Sequence, residues 1–494
     1  MSIGLTWALL ALVIGCGDDS TGTVDTQVPT TDSPSGSDTG DTSGGDSGSP
    51  TPDSGGSADS GGETGLDRGP NLAEHALAVL LGTVPGGLAG TAATVVIDPD
   101  GDRNLLIGAS LYEARGLFLT AGELNGTQSL DDVASFYSGG SGGYLGDVVD
   151  GTADLDGDGI SDAVARSGDS FSVLCGAQTA LVLDPVCADI VRADGNNPGS
   201  SLSILDRLDA QGQAGIVIGD ERSSLGDTVA GAAYIFRGPL AKETLVSGAD
   251  ATIYNTVYAE YAGTAVAGDG DVNGDGLSDI GLGAPGVLHE SSWGGQVYLF
   301  HGPVSGLVST ADADGVHEGH FGDGQTLSFS GDLNGDGYDE VIIGSTFRFD
   351  VSDPLITVYR GGPSGPELGE RGADLEIIED SSRGTIHQGI GLADLDGDGA
   401  DELGICSGFG WREHPFFFLF RGLGEGSVPL TDADVALEPS EDGDQDDQIP
   451  CHLSDGADFD GDGVGDFIVS VPESDLAGVE AGAVYLISGG GLGL

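Results

Sequence analysis

Oxygen donors recur at every second residue of one short segment: Asp271, Asn273, Asp275, Leu277 through its main-chain carbonyl, and Asp279. The pattern returns at Asp154, Asp156, Asp158, Ile160 and Asp162, and at Asp332, Asn334, Asp336, Tyr338 and Glu340. It returns again at Asp394, Asp396, Asp398, Ala400 and Glu402, and at Asp458, Asp460, Asp462, Val464 and Asp466. Alternation points these groups into one concavity, and Gly276 permits the bend that main-chain coordination needs. Hard oxygen ligands, several of them anionic and none nitrogen or sulfur, select Ca2+ over zinc or copper. Mg2+ is disfavoured because it prefers a near-ideal octahedron that retains water. Three or four carboxylates in one hairpin repel strongly without a cation, so about five calcium sites are expected from the five loops.

These loops need strands to hold them. The motif starts at 154, 271, 332, 394 and 458, and two eroded copies at Asp98 and Asp206 complete a series of seven units of about 60 residues. The first eroded copy is short, and the second has lost most carboxylates, so neither is expected to hold metal as the intact loops do. In each unit a small-residue strand such as GTAVAGD enters the loop and an apolar strand such as DIGLGAP leaves it. A second apolar strand follows, as in 231–236, 294–300, 415–420 and 482–487, and then a weaker polar segment. Short β-branched and aromatic runs divided by Gly, Pro and Asp turns are strands, and no stretch offers a sustained helical period. Four strands in each of seven units predict an all-β, seven-bladed β-propeller over 71–494. The chain ends just after the third strand of the last unit, while the apolar segment 77–81 stands alone before the first. That segment is expected to supply the outer strand of blade seven and so close the ring. The nine-residue span between strands also sets the loops apart from an EF-hand, whose bidentate Glu sits at position twelve between helices.

The phrase GDVNGDGLSDIGLGAP from Gly270 to Pro285, with Phe321-Gly322 ahead of the next loop, resembles the FG-GAP repeat of integrin α-chain N-terminal propellers. The resemblance extends over about residues 72–494 and is looser in the first and third units. It implies a seven-bladed propeller with calcium in hairpin loops between the first and second strands of a blade. It does not imply an integrin's ligand, since the family also includes many bacterial proteins of unknown role.

The apolar run 3–14 has the length of a signal peptide and is too short for a membrane span of ~20 residues. It ends in Val13-Ile14-Gly15-Cys16, which resembles a bacterial lipobox, with Val13 where Leu is usual and no Lys or Arg before the run. The resemblance implies a signal over 1–15 and lipidation of Cys16. From 16 to 70 the chain is almost wholly Ser, Thr, Gly, Asp and Pro, which cannot bury enough apolar area to offset chain entropy. A disordered tether is expected there, holding the propeller away from a bacterial envelope, at the outer membrane or cell surface. Four cysteines remain in this exported chain, which points to two disulfides. Three pairings are possible; Cys175 with Cys187 and Cys406 with Cys451 are favoured because each joins neighbouring segments. A zinc site would need CxxC or CxxH spacing, which is missing.

Asp and Glu number 81 against 15 Lys and Arg, a net charge of −66, which excludes a basic face for nucleic acid or anionic lipid. No catalytic constellation stands out. Ser141 satisfies GxSxG but lies in a Gly/Ser-rich loop with neither strand nor helix around it, Lys242 is the only lysine, and HExxH is missing. Trp293 and Trp411 stand at comparable points before the third strands of units four and six, as blade packing or as a rim for a glycan or protein partner. The expectation is a calcium-binding, envelope-anchored, non-catalytic propeller for adhesion or for protein or glycan binding. An exported hydrolase or lyase acting on polysaccharide or phospholipid, and a passive scaffold, are the alternatives.

Overall fold

A computed structural model describes residues 71–97, 101–110, 116–138, 145–168, 170–176, 186–191, 199–225, 229–289, 292–346, 354–369, 372–378, 386–407, 417–438 and 451–494. Signal, tether, Cys16, Ser141 and Trp411 all fall outside them. The described strands form seven sheets, each built on an antiparallel up-and-down run of four strands from the inside of the ring outwards. Blade 4 shows the pattern, with strands Ala265–Ala267, Ile280–His289, Ser292–Phe300 and Gly315–Glu318 in that order. The innermost strands of successive blades touch one another around the full circle, including blade 7 against blade 1.

The middle strands read as unbroken apolar runs because both of their faces are covered by a neighbouring blade. In blade 3, Ile216 and Ile218 pack towards blade 2, while Val217 between them packs towards blade 4. In blade 4, Val297 and Leu299 face blade 5, whereas Tyr298 and Phe300 face blade 3. Alternation along a strand thus serves two seams rather than a core and a solvent face. Each of the seven seams holds its own buried apolar cluster among the described residues.

Strand Ala76–Leu81 is the fourth strand of blade 7, antiparallel to Ala483–Ile487, so both ends of the propeller share one sheet as the orphan segment predicts. The N-terminal stretch reaches one blade further back, since the Leu72 N–H donates to the Glu438 carbonyl of blade 6 at 3.0 Å. Both expected disulfides are present: Cys175–Cys187 and Cys406–Cys451, with Cα separations of 5.8 and 6.0 Å. Cys406 and Cys451 are both fully buried, and their bond links blades 6 and 7.

Four blades carry a fifth strand that the four-strand arithmetic does not contain. Segments Gly126–Ser129, Glu243–Leu245, Gly306–Ser309 and Gly426–Pro429 leave their own blade after its third strand and pair, in parallel, with the outer strand of the blade before. Each runs into one helical turn that buries a single anchor: Leu130, Val246, Thr310 or Leu430. With three or four residues and exposed faces, these straps carry too little apolar pattern to be read as strands.

Deleting residues 70–84 is expected to abolish the cooperative melt, because it opens the ring and strips blade 7 of its outer strand. Leu80→Ala, at a position with no exposure in the seam between blades 7 and 1, should cost about 2–5 kcal/mol in chemical denaturation. A deleted protein melting at the parent temperature would refute the closure.

Candidate metal centres

Every acidic loop joins the first and second strands of its blade, which places all of them on one face of the ring. The turn requires two left-handed residues: Gly274 and Gly276 have φ of +73° and +85°, and glycine stands at both places in the other four intact loops. With these in place the first carboxylate gathers the main-chain donors of the turn. Asp271 Oδ1 accepts from Gly274 and Asp275 at 2.7 and 3.1 Å, and its Oδ2 accepts from Gly276 at 2.7 Å. Asn273 and Asp275 each cap the N–H two residues on, at 2.9 Å. The loops at Asp154 and Asp394 repeat the whole scheme.

The last ligand of each loop is the buried one: Asp162, Asp279, Glu340, Glu402 and Asp466 have no exposed surface. Asp279 accepts from the Val272 N–H at 3.0 Å and from the Gly302 N–H, just beyond the third strand, at 2.8 Å. Gly176 and Gly489 serve Asp162 and Asp466 in the same way, at 2.8 and 3.2 Å. The segment that follows the third strand thereby fixes the last ligand of the first hairpin.

Carboxylate oxygens converge within 4.8 Å in four loops: Asp154 with Asp156 and Asp158, Asp332 with Asp336 and Glu340, Asp394 with Asp396 and Glu402, and Asp458 with Asp460 and Asp466. One ion with Ca–O distances of about 2.3–2.6 Å can span oxygens that far apart. The Asp271 loop has the same hydrogen bonds but forms no such carboxylate trio, and its Asn273 amide donates to Asp279 at 3.1 Å. Donor chemistry fits Ca2+, and blade 6 leaves one buried carboxylate oxygen free to meet a cation. Glu402 Oε2 accepts from the Leu395 N–H at 2.6 Å, but Oε1 is buried without any hydrogen-bond partner. A buried anionic oxygen left bare costs about 1–3 kcal/mol or more unless a cation meets it.

Burial pushes the innermost carboxyls up: to about 6 at Asp162, Asp279 and Asp466, about 7 at Glu402 and about 8 at Glu340. Neighbouring carboxylates of the same loop add to the rise, and main-chain donors oppose it.

The eroded loop at Asp206 shows what takes the place of a metal ligand set. Gly215 stands where the last carboxylate would be, one residue before Ile216 as Asp279 is before Ile280. Arg237, the last residue of the third strand, sends its guanidinium to Asp209 and to within 3.5 Å of Gln213 Oε1. A tethered cation thus lies in this loop, a role that the sequence does not reveal because the arginine is some 30 residues downstream. The loop at Asp98 begins outside the described residues.

The pair His317 and Asp323, 3.0 Å apart, is sealed in the seam between blades 4 and 5, with the other ring nitrogen of His317 against Tyr359 at 2.9 Å. It is closed to any substrate. Trp293 pairs through its backbone with Leu288 at the end of a hairpin on the face opposite the acidic loops.

Seven blades, strand-to-strand closure and acidic hairpins on one face define an integrin-α-like, FG-GAP-containing propeller fold. An FG-GAP repeat is matched over residues 454–487. The chain is 36% identical to integrin alpha-5 of Xenopus laevis over 108 residues, 20% of this chain and 9% of that protein. It is 32% identical to integrin alpha-PS2 of Drosophila melanogaster over 117 residues, 22% of this chain and 8% of that protein. The matched stretch is thus less than a tenth of either relative.

Chelation is expected to lower the melting temperature, and excess Ca2+ to restore it where equal Mg2+ does not. At 100 times Kd each site adds about 2.7 kcal/mol. The pH dependence follows from the raised carboxyls. Without metal the folded state keeps protons that the unfolded chain, titrating near 4, has lost, so stability falls as pH rises from about 4 to about 8. Calcium displaces those protons, so the gap between Ca2+ and EDTA melts should widen from pH 5 to pH 8. A gap that is zero, or constant across that range, would count against calcium.

Proposed function

We propose that this chain is a calcium-stiffened, non-catalytic binding propeller, displayed outside a bacterial cell on a lipidated Cys16 and the tether of residues 16–70. The observation that carries the reading is the set of acidic hairpins on one face, convergent at Asp154, Asp332, Asp394 and Asp458 and repeated in sequence and turn geometry at Asp271. Extracellular calcium modules bind at about 10⁻⁴ to 10⁻³ M, which suits ions kept in place by the outside medium. Two disulfides support the same extracytoplasmic setting. Similarity to integrin α chains supports adhesion, or binding of a protein or glycan, as the use of such a ring.

The opposite face is the better contact surface. In blade 3 its loops expose Leu225, Val229, Val257 and Tyr258, the last at 71%. The two loops are joined by the Ala259 N–H, which donates to the Val229 carbonyl at 2.9 Å. The described non-glycine residues with positive φ, Leu88, Ala259, Tyr261 and Glu480, all lie in loops on this face. Strain and exposed apolar side chains gather where a partner would be met.

The test is to immobilise the calcium-loaded chain and probe it with a glycan array and with isolated envelope proteins. Saturable binding that Tyr258→Ser weakens at least about tenfold, with no turnover of the bound material, is the expected result. Binding unaffected by Tyr258→Ser, or product release, would sink this reading. Intact mass of the membrane-derived protein should show a lipidated N-terminal Cys16, lost in Cys16→Ser.

A further inference from the structure

The acidic loops are not separate devices. The eighth residue of one loop grips the first residue of the loop in the preceding blade. Asp339 Oδ2 accepts the Asp271 N–H at 2.7 Å, and the Asp339 N–H faces the Asp271 carbonyl at 3.4 Å. Asp401 does the same to Asp332, with both distances 2.9 Å. Neither aspartate is a proposed ligand, yet each lies between two of them: Asp339 between Tyr338 and Glu340, Asp401 between Ala400 and Glu402. The residues they hold, Asp271 and Asp332, are the carboxylates that gather their own loops. The loops also touch directly. A Cβ on Gly274 would lie 2.4 Å from the Tyr338 ring, and one on Gly335 would lie 2.9 Å from the Gly399 carbonyl oxygen.

The string has two ends. Ser278 of blade 4 grips Arg207 of blade 3 by the same pair of contacts, at 3.2 and 2.9 Å, but that loop is served by the Arg237 guanidinium. On the other side the eighth residue of the blade 7 loop is Gly465, which has no side chain to reach blade 6.

Resting on the calcium reading above, we infer that the cation sites of blades 4, 5 and 6 form one coupled array, with Asp339 and Asp401 as positioning residues, whereas the sites of blades 2 and 7 fill independently. Ordering one loop of the array fixes the backbone of the first ligand next door, and by linkage the effect runs in both directions. Coupling of this kind changes affinity by about 5- to 150-fold.

The experiment is a Ca2+ titration of the full chain by calorimetry after chelation, comparing ligand losses at two exposed loop positions, Asp398→Asn in blade 6 and Asp462→Asn in blade 7. Asp398→Asn should weaken the blade 4 and 5 sites, which keep all their ligands, by at least about fivefold. Asp462→Asn should remove its own site and leave the others unchanged. A second pair separates positioning from general damage. Asp401→Ala should lower the cooperativity of the array, while Asp401→Asn, whose amide oxygen accepts the same N–H, should keep it. No saturable Ca2+ binding by the parent protein overturns the calcium reading itself. Saturable binding in which Asp398→Asn and Asp462→Asn each lose only their own site overturns the coupling alone.

Discussion

Carboxylates that face one another inside a single hairpin cannot all hold their charge without a cation, and the rest of the propeller is arranged around that constraint. Each intact loop places its most buried acid at the base of the hairpin, with no exposed surface, and in the loops at Asp332, Asp394 and Asp458 two other carboxylates converge on it. Main-chain donors satisfy one side of each group but cannot neutralise it; Glu402, with one oxygen bare, shows where donors run out. In blade 3, whose loop keeps few carboxylates, the Arg237 guanidinium supplies the positive charge instead and meets Asp209. One problem thus receives two solutions within a single ring.

The constraint reaches the architecture through the seams. Blades in a propeller are held by apolar clusters between sheets, which are forgiving of small rotations because hydrophobic contact is non-directional. Directional contacts come from elsewhere: the straps that add a parallel strand to the preceding blade, and the paired hydrogen bonds that Ser278, Asp339 and Asp401 send to the preceding loop. The straps act at the outer edge, and the loop contacts act nearer the axis. Registering a blade at two radii fixes its tilt, which contact at one radius would leave free.

Much of this was legible in the sequence, and the exceptions share a cause. The loops announce themselves because every ligand lies within nine residues, and the ring closure because the apolar segment 77–81 has no partner in its own unit. Pairing of Cys175 with Cys187 and Cys406 with Cys451 followed from neighbourhood alone. What stayed hidden was whatever joins residues of different units. Asp401 reads as one more acid in an acidic loop until the Asp332 N–H is seen to end on it, 69 residues away. Arg237 reads as a strand-end arginine, and Gly306–Ser309 as a polar linker. Periodicity reports what a segment does to its own blade; the partner across a seam leaves no local mark.

The charge itself divides along the same lines. Five Ca2+ ions would offset only 10 of the 66 net negative charges, so the loops explain where acids cluster but not how many there are. Residues 17–69 carry 11 of the 81 acids, and the remainder lie in 70–494. Such a surface repels copies of itself and attracts cationic partners over several ångströms, an effect on encounter rate more than on affinity. Affinity must then come from the small area where water is shed. On the described surface the exposed apolar side chains of blade 3 stand on the face away from the acidic loops. The ring therefore separates two kinds of surface in space: one face gathers carboxylates that could hold divalent cations, and the other exposes the apolar side chains of blade 3.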